Sequence, residues 1–236
     1  FVRPSAKAIR KQRKPRMFEA CEIHRILDHA GIVMKAMVLL GVNCGFGPAD
    51  IGRLPSSVLD LEAGWLQFPR PKTGTERRIP LWPETIDALR QALEIRPKPA
   101  SEELKDLVFL TNRGGSWFKE STRYLSEQFG EFLKSIDEQA EKKAKKQGIE
   151  PPENLYRLGR GFYALRHVFE TIGGESCDQV AVDAIMGHER GDMASHYRER
   201  VSDERLQRVV DTVRQWLYAE AADDDEPVTV PFRVVS

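Results

Sequence analysis

The chain has 236 residues, of which 41% are hydrophobic, and its 36 basic and 36 acidic residues cancel, values typical of a globular protein with one large domain or two small ones. Because the sequence has no run of about 18 or more apolar residues and no signal peptide, it argues against membrane insertion and export, and we expect a cytoplasmic protein. The three cysteines lie far apart and form no C-x-x-C pair, which argues against a disulfide framework and a zinc site.

Charge is unevenly distributed although the net charge is zero. Residues 1–16 form a basic arm without any acidic residue, and such an arm can follow a phosphate backbone. The arm residues predicted to contact DNA are Arg10, Lys11, Arg13 and Lys14. A solvated leader is the alternative interpretation. Because the chain begins with Phe1 and a basic strip punctuated by proline, we expect a linker that follows an upstream domain.

The first predicted elements are helices. Apolar residues recur at helical spacing from Glu19 onward, and residues 33–42 form a nearly all-apolar run that predicts a buried helix. Pro48 suits the first turn of a short helix through Leu54, because its missing N–H would be unpaired there. These helices are expected to form the centre of the domain.

A small antiparallel sheet is predicted between Ser56 and Leu81. Apolar residues fall into three short groups there, separated by Gly64 and by the turn residues 73–75. A helix is predicted to begin at Pro83, and residues 107–110 to form a short strand.

The second half of the sequence is predicted to be helical. A long amphipathic helix follows Ser121 and runs into the charge cluster at residues 141–146, which we interpret as a solvated helix end or loop. Three or four short helices follow from Phe162, and the last covers about residues 203–217. The predicted fold class is therefore mostly α with a small antiparallel β-sheet (α+β).

The C-terminal residues 219–236 combine an acidic hinge with a short alternating pattern. The alternating apolar residues are Val228, Val230, Phe232 and Val234. A detached strand of this kind can add to the sheet edge of a neighbouring protomer. Packing on its own domain and disorder are the alternatives.

Four stretches occur in a characteristic order. They are Cys44-Gly45-Phe46-Gly47-Pro48-Ala49-Asp50-Ile51, Arg70-Pro71-Lys72-Thr73-Gly74, Tyr163-Ala164-Leu165-Arg166-His167, and Met186-Gly187-His188 followed nine residues later by Tyr197. Together they resemble the tyrosine recombinases, the phage integrase family. The resemblance implies a catalytic domain of the DNA breaking-rejoining type over residues 17–218, acting on duplex DNA in the bacterial cytoplasm. It also implies dimers or tetramers on DNA, with no cofactor and no metal.

The resemblance assigns roles to individual side chains in these motifs. Tyr197 would be the nucleophile and form a 3′-phosphotyrosine, while Arg166 and His188 would bind the scissile phosphate and Lys72 would protonate the leaving 5′ oxygen. Cations suit this reaction because its transition state is highly charged. Each residue also has an ordinary interpretation, as a core or surface tyrosine, a surface helix arginine, a helix-capping histidine and an exposed hairpin lysine.

Other positions are assigned supporting or binding roles. Tyr163 stands where the family has a histidine or lysine, and a phenol can still donate to phosphate. Asp50 and His167 are predicted to support the site. The remaining predicted DNA contacts, on or beside the predicted sheet, are Arg70, Arg77 and Arg78.

The main departure from the family pattern is Gly47, which stands at the position of the first catalytic arginine and supplies no cation. Three explanations remain open: a nearby arginine such as Arg53, Arg70 or Arg77 replaces the lost charge, the domain cleaves slowly or not at all, or the alignment is shifted near Gly45. The alternative functions are accordingly a non-catalytic DNA-binding module of the same fold and an enzyme resembling type IB topoisomerases.

Overall fold

The computed structural model describes residues 16–119, 123–188 and 200–219. Within these ranges the helices are α1 (Ala20–His29), α2 (Ile32–Asn43), α3 (Pro48–Gly52), α4 (Pro83–Glu94), α5 (Tyr124–Gln147), α6 (Tyr163–Gly174), α7 (Gln179–Met186) and α8 (Asp203–Tyr218). The strands are β1 (Leu59–Asp60), β2 (Trp65–Gln67) and β3 (Arg78–Pro80). Short 3₁₀ turns cover Ser56–Val58 and Glu102–Leu104. The predicted α+β class, mostly helical with one small sheet, is confirmed.

Helix α2 forms the centre of the core, as its apolar sequence predicts. It is fully buried from Ala36 to Asn43 and packs on α4 and α6. Gly41 allows the close crossing with α6, since a Cβ there would lie 2.8 Å from Cδ1 of Leu165. This crossing fixes the position of α6, the helix that carries Arg166.

The sheet is antiparallel with the order β1-β2-β3, and Leu66 pairs with both Leu59 and Ile79. Asn43 joins α2 to the residues after β3, because its side chain donates to the carbonyl of Pro80 and accepts from the N–H of Trp82. The sheet is thereby tied to the central helix.

Two predicted elements differ from the structure, one in where it ends and one in its type. Helix α3 ends at Gly52 instead of Leu54. Residues 107–110 do not form a strand; Leu107 and Leu110 make isolated bridges with Pro55 and Ser116 instead. Val108, Phe109 and Leu110 are buried, but within the described ranges no continuous partner strand lies beside them, so the strand prediction was wrong.

The long helix α5 extends through the charge cluster. Its apolar face buries Leu125, Phe129, Leu133 and Ile136, and Gly148 ends it in the left-handed conformation. Residues 141–146 are exposed except for Ala144, which confirms the interpretation of a solvated helix end. Within the described ranges no helix is both long and apolar enough to cross a membrane.

Candidate active site

Arg166 lies at the centre of the candidate site and is only 2% exposed. Its Nη1 donates to the carbonyl of Gly45 at 2.6 Å, and its Nη2 donates to the carbonyl of Met186 at 2.9 Å. The same Nη2 lies 2.9 Å from Nε2 of His188. The guanidinium therefore connects the loop after α2 with the end of α7, unlike a surface helix arginine.

His188 follows directly after the end of α7. Gly187 caps this helix in the left-handed conformation, with φ of 64°, and the N–H of His188 donates to the carbonyl of Asp183. Because a guanidinium has only donors, Nε2 of His188 accepts from Arg166 and the ring proton sits on Nδ1. Nδ1 lies 3.6 Å from Oδ1 of Asp183.

Residues 65–80 form the β2–β3 hairpin, which carries the Arg70-Pro71-Lys72 motif. Phe68 and Arg70 extend the pairing beyond the strands by donating to the carbonyls of Arg77 and Thr75. Lys72 is exposed in the turn at the tip, as predicted. The half-buried Arg70 donates from Nη1 to the carbonyl of Gly187 at 3.1 Å, so the hairpin is joined to the end of α7.

Arg77 lies inside the domain and is paired with a carboxylate. Its side chain is 0% exposed, and Nη2 pairs with Oδ1 of Asp50 at 2.9 Å. The guanidinium lies 4.7 Å from the ring centroid of Phe46 and 5.3 Å from that of Phe68. Burial lowers the pKa of Arg77, and the Asp50 carboxylate opposes this shift. This pairing with Asp50 does not favour the predicted contact of Arg77 with DNA, because it engages the guanidinium inside the domain.

Asp50 supports the loop that contains the altered position. Its Oδ2 accepts from the N–H of Gly47 at 2.8 Å, while its Oδ1 binds Arg77. A Cβ at Gly47 would lie 3.4 Å from Cδ2 and Cε2 of Tyr163, whose residue is 49% exposed. The two departures from the family pattern are thus in contact, and the Tyr163 ring lies against the glycine.

The other predicted residues lie apart from this cluster or outside the described residues. Arg78 pairs with Asp203 on the opposite side of β3 from Arg77 and stacks on Trp65. His167 packs edge-on against Tyr163, with ring centroids 5.3 Å apart. The predicted residues that fall outside the described ranges are Tyr197, Arg10, Lys11, Arg13 and Lys14.

A comparison with family models identifies the chain. The model described as "Phage integrase family" matches residues 7–204, which is most of the sequence. The chain belongs to the phage integrase family.

Solved structures agree with this assignment to the phage integrase family at the level of the fold. The XerA recombinase is 20% identical with a TM-score of 0.50, over 84% of this chain and 65% of that protein. The Tn1549 transposon integrase bound to transposon right end DNA is 16% identical with a TM-score of 0.55, also over 84% and 65%. The fold is that of tyrosine recombinase catalytic domains, and the match spans about 65% of the length of the chain in each of these two structures. No curated protein sequence matched the chain.

Several contacts of this phage integrase domain were not predicted from its sequence. The carbonyls of Gly45 and Met186 orient Arg166, and Asp183 lies beside His188. The burial of Arg77 could have been predicted from the sequence. Side chains alternate between the two faces of a strand, so Arg77 lies on the same face as Ile79, which is buried. The carbonyl contacts have no signal in side-chain patterns. Among the described residues, no cluster of three or more histidine, cysteine, aspartate or glutamate side chains is arranged to hold a metal ion.

We expect the domain to lose stability as pH falls below about 6.5, the ordinary histidine value. The pKa of His188 is lowered by burial and then by the Arg166 and Arg70 guanidinium groups, against the opposing carboxylates of Glu170 and Asp183. At pH values between the lowered pKa of the folded chain and the ordinary histidine pKa, the unfolded chain binds a proton that the folded chain does not. The free energy of unfolding therefore decreases as the pH is lowered. Urea unfolding at about pH 7.5 and about pH 5.5 measures this loss. His188→Gln should lose less stability than the parent chain over this interval, and an equal loss would contradict the assignment.

Proposed function

We propose that this chain is the catalytic domain of a site-specific DNA recombinase that binds duplex DNA and cleaves and rejoins strands through a 3′-phosphotyrosine at Tyr197. The observation that carries the proposal is the joining of Arg166, His188 and the Lys72-bearing hairpin at the end of α7. Such a set of fixed cationic and hydrogen-bonding groups suits the charge that develops on a phosphodiester during attack.

In the proposed reaction Tyr197 gives its phenolic proton to solvent, and its oxygen forms a bond to phosphorus while the bond from phosphorus to the 5′ oxygen breaks. Arg166 donates to the equatorial oxygens, and its planar guanidinium can serve two of them at once. His188 hydrogen-bonds the same phosphate, and Lys72 gives a proton to the leaving 5′ oxygen. Attack of that 5′ hydroxyl, or of one from a second DNA, on the phosphotyrosine releases Tyr197 and rejoins the strand.

The proposed organisation follows the same family pattern. Residues 17–218 would form the catalytic domain, residues 1–16 a basic arm along the DNA, and residues 219–236 a hinge and tail for protomer contacts. Arg78 and the arm residues would add phosphate contacts. Such contacts release counterions, so DNA affinity should fall steeply with salt. Assembly as dimers or tetramers on DNA in the bacterial cytoplasm belongs to the proposal as well.

A covalent trap tests the proposed function. The probe is a duplex selected from a randomised pool by its affinity for the full chain and then nicked next to each candidate phosphate in turn. After cleavage, the short strand with the 5′ hydroxyl diffuses away, so rejoining fails and protein linked to DNA accumulates. We expect a DNA-linked band that is lost with Tyr197→Phe, and peptide mapping should locate the phosphate on Tyr197.

Gly47 favours a second candidate, a DNA-binding module of the same fold that does not cleave. This position supplies no cation, and the loss of one transition-state donor costs roughly a hundred- to a thousandfold in rate. DNA binding without any covalent band would support this candidate and contradict the recombinase. Relaxation of supercoiled DNA without a specific site would instead indicate chemistry similar to type IB topoisomerases.

A further inference from the structure

The charge of the attacked phosphate exceeds what one guanidinium neutralises. A phosphodiester carries one negative charge, and attack by a phenolate adds a second to the five-coordinate transition state. Preorganised cations lower the barrier because they stabilise this added charge. With glycine at position 47 and the Tyr163 ring beside it, no cation comes from that loop position.

Three arginines are near enough in sequence or fold to replace the missing charge, and two of them are engaged elsewhere. The guanidinium of Arg53 stacks on the Phe118 ring, with 3.8 Å from Cζ to the ring centroid. Arg77 is paired with Asp50, and its side chain has no exposed surface. Both groups therefore have a partner inside the domain, an aromatic ring for Arg53 and a carboxylate for Arg77.

Arg70 is positioned differently, because its guanidinium reaches the same chain segment that Arg166 holds. Nη2 of Arg166 donates to the carbonyl of Met186, and Nη1 of Arg70 donates to the carbonyl of the next residue, Gly187. His188, which touches Arg166, follows immediately. Two guanidinium groups therefore bind consecutive carbonyls at the end of α7, one from α6 and one from the β2–β3 hairpin.

The packing at Gly187 holds the Arg70 side chain in this place. A Cβ at residue 187 would lie 3.0 Å from Cβ of Arg70 and 3.0 Å from Cδ of Arg77, so the glycine permits the hairpin to approach. Arg70 is half-buried, and within the described ranges its guanidinium makes one hydrogen bond and no ion pair. Among the residues that the structure describes, no acceptor binds its Nε or Nη2, and these donors could bind a phosphate oxygen.

We propose that Arg70 supplies, from the β2–β3 hairpin, the second guanidinium on the scissile phosphate that position 47 lacks. This inference rests on the proposed function. Lys72 lies two residues further along the same hairpin, so one element would deliver both the added cation and the proton donor. Electrostatics agree with the geometry, since the Arg70 charge contributes to lowering the pKa of both Arg166 and His188.

Single-turnover cleavage of the nicked duplex tests the proposal. We expect Arg70→Ala to slow formation of the covalent complex by about a hundredfold or more, as for removal of one transition-state donor. The double variant Gly47→Arg, Arg70→Ala should form the covalent complex at least about tenfold faster than Arg70→Ala alone, which is a change of about 1.4 kcal/mol in the barrier. A Cβ at residue 47 would make only ordinary contacts with the Tyr163 ring, at 3.4 Å.

A second measurement separates charge from folding. Replacing one nonbridging oxygen of the scissile phosphate by a methyl group removes its negative charge, so a missing cation should then matter less. The ratio of the parent rate to the Arg70→Ala rate should be smaller on this neutral probe than on the normal phosphodiester. A purely structural role would leave the ratio unchanged and would overturn the proposal.

The matched control is Arg90→Ala, which removes a half-exposed arginine of α4 that pairs with Glu62 and is not among the proposed DNA contacts. It should change cleavage by less than about threefold. Cleavage by the parent chain with an undiminished rate in Arg70→Ala would overturn the role of Arg70 and leave the proposed function intact. An absence of cleavage in the parent chain, under conditions where it binds the duplex, would overturn both.

Discussion

Replacing Asp50 with alanine should lower the free energy of unfolding by about 3–5 kcal/mol, because it leaves the Arg77 cation buried without a counterion. The pair is enclosed: the Arg77 side chain has no exposed surface, and Nη2 lies 2.9 Å from Oδ1 of Asp50. The same substitution removes the acceptor for the N–H of Gly47. Chemical denaturation of the parent and the variant, analysed as a two-state transition, measures the difference.

The adjacent residue provides a matched control for this prediction. Arg78 pairs with Asp203 at the same 2.9 Å, but both side chains are largely exposed, so Asp203→Ala should cost only about 0–1 kcal/mol. Because the penalty comes from an unpaired buried charge, Asp50→Ala combined with Arg77→Met should recover part of the loss. Equal losses for Asp50→Ala and Asp203→Ala would contradict the argument.

Arg166→Lys should slow formation of the covalent complex by roughly a hundred- to a thousandfold. Lysine keeps the charge, but an ammonium is not a planar fork and cannot reproduce the contacts of Arg166 with Gly45, Met186 and His188 together. The displaced cation no longer meets two phosphate oxygens. Single-turnover cleavage of the nicked duplex gives the rate, and a parallel binding assay gives the affinity.

Loss of a buried arginine also affects folding, so the experiment needs a buried control. Arg160 is 3% exposed and donates to the carbonyls of Met17 and Leu155 and to the carboxylate of Glu22, none of which is a predicted site residue. Arg160→Lys should destabilise the domain by a comparable amount, about 1–3 kcal/mol, and leave cleavage at parent rates. If both variants cleave equally slowly, the effect on Arg166 is one of folding and the assigned role is contradicted.

Hydrophobic periodicity predicted the helices because burial of an apolar face determines most of their position. The run at residues 33–42 became the central helix α2, and the predicted closing helix became α8. Periodicity failed for residues 107–110, since a short buried apolar run has the same pattern whether or not a strand lies beside it. Pairing partners are a property of the tertiary structure and are not encoded in the run itself.

The candidate site was only partly predictable for a similar reason. Motifs placed Arg166, His188 and the hairpin in order along the chain, and the structure joins them at the end of α7. Motifs did not reveal which arginine is paired internally, because Arg70, Arg77 and Arg78 have the same charge in the sequence. Burial and the nearest carboxylate distinguish them, and both depend on how the hairpin lies against α3 and α7.

The burial of Ile79 in β3 also has a consequence for strand alignment. A slip of the β2–β3 hairpin by one residue would exchange the two faces of β3, exposing Arg77 and turning Arg78 toward Asp50. Such a slip would also push Ile79 into solvent and shift the turn that carries Lys72. Because Arg78 would then replace Arg77 beside Asp50, the charge pair alone does not exclude the misaligned pairing; the exposure of Ile79 excludes it, and so keeps the lysine at one position on the domain surface.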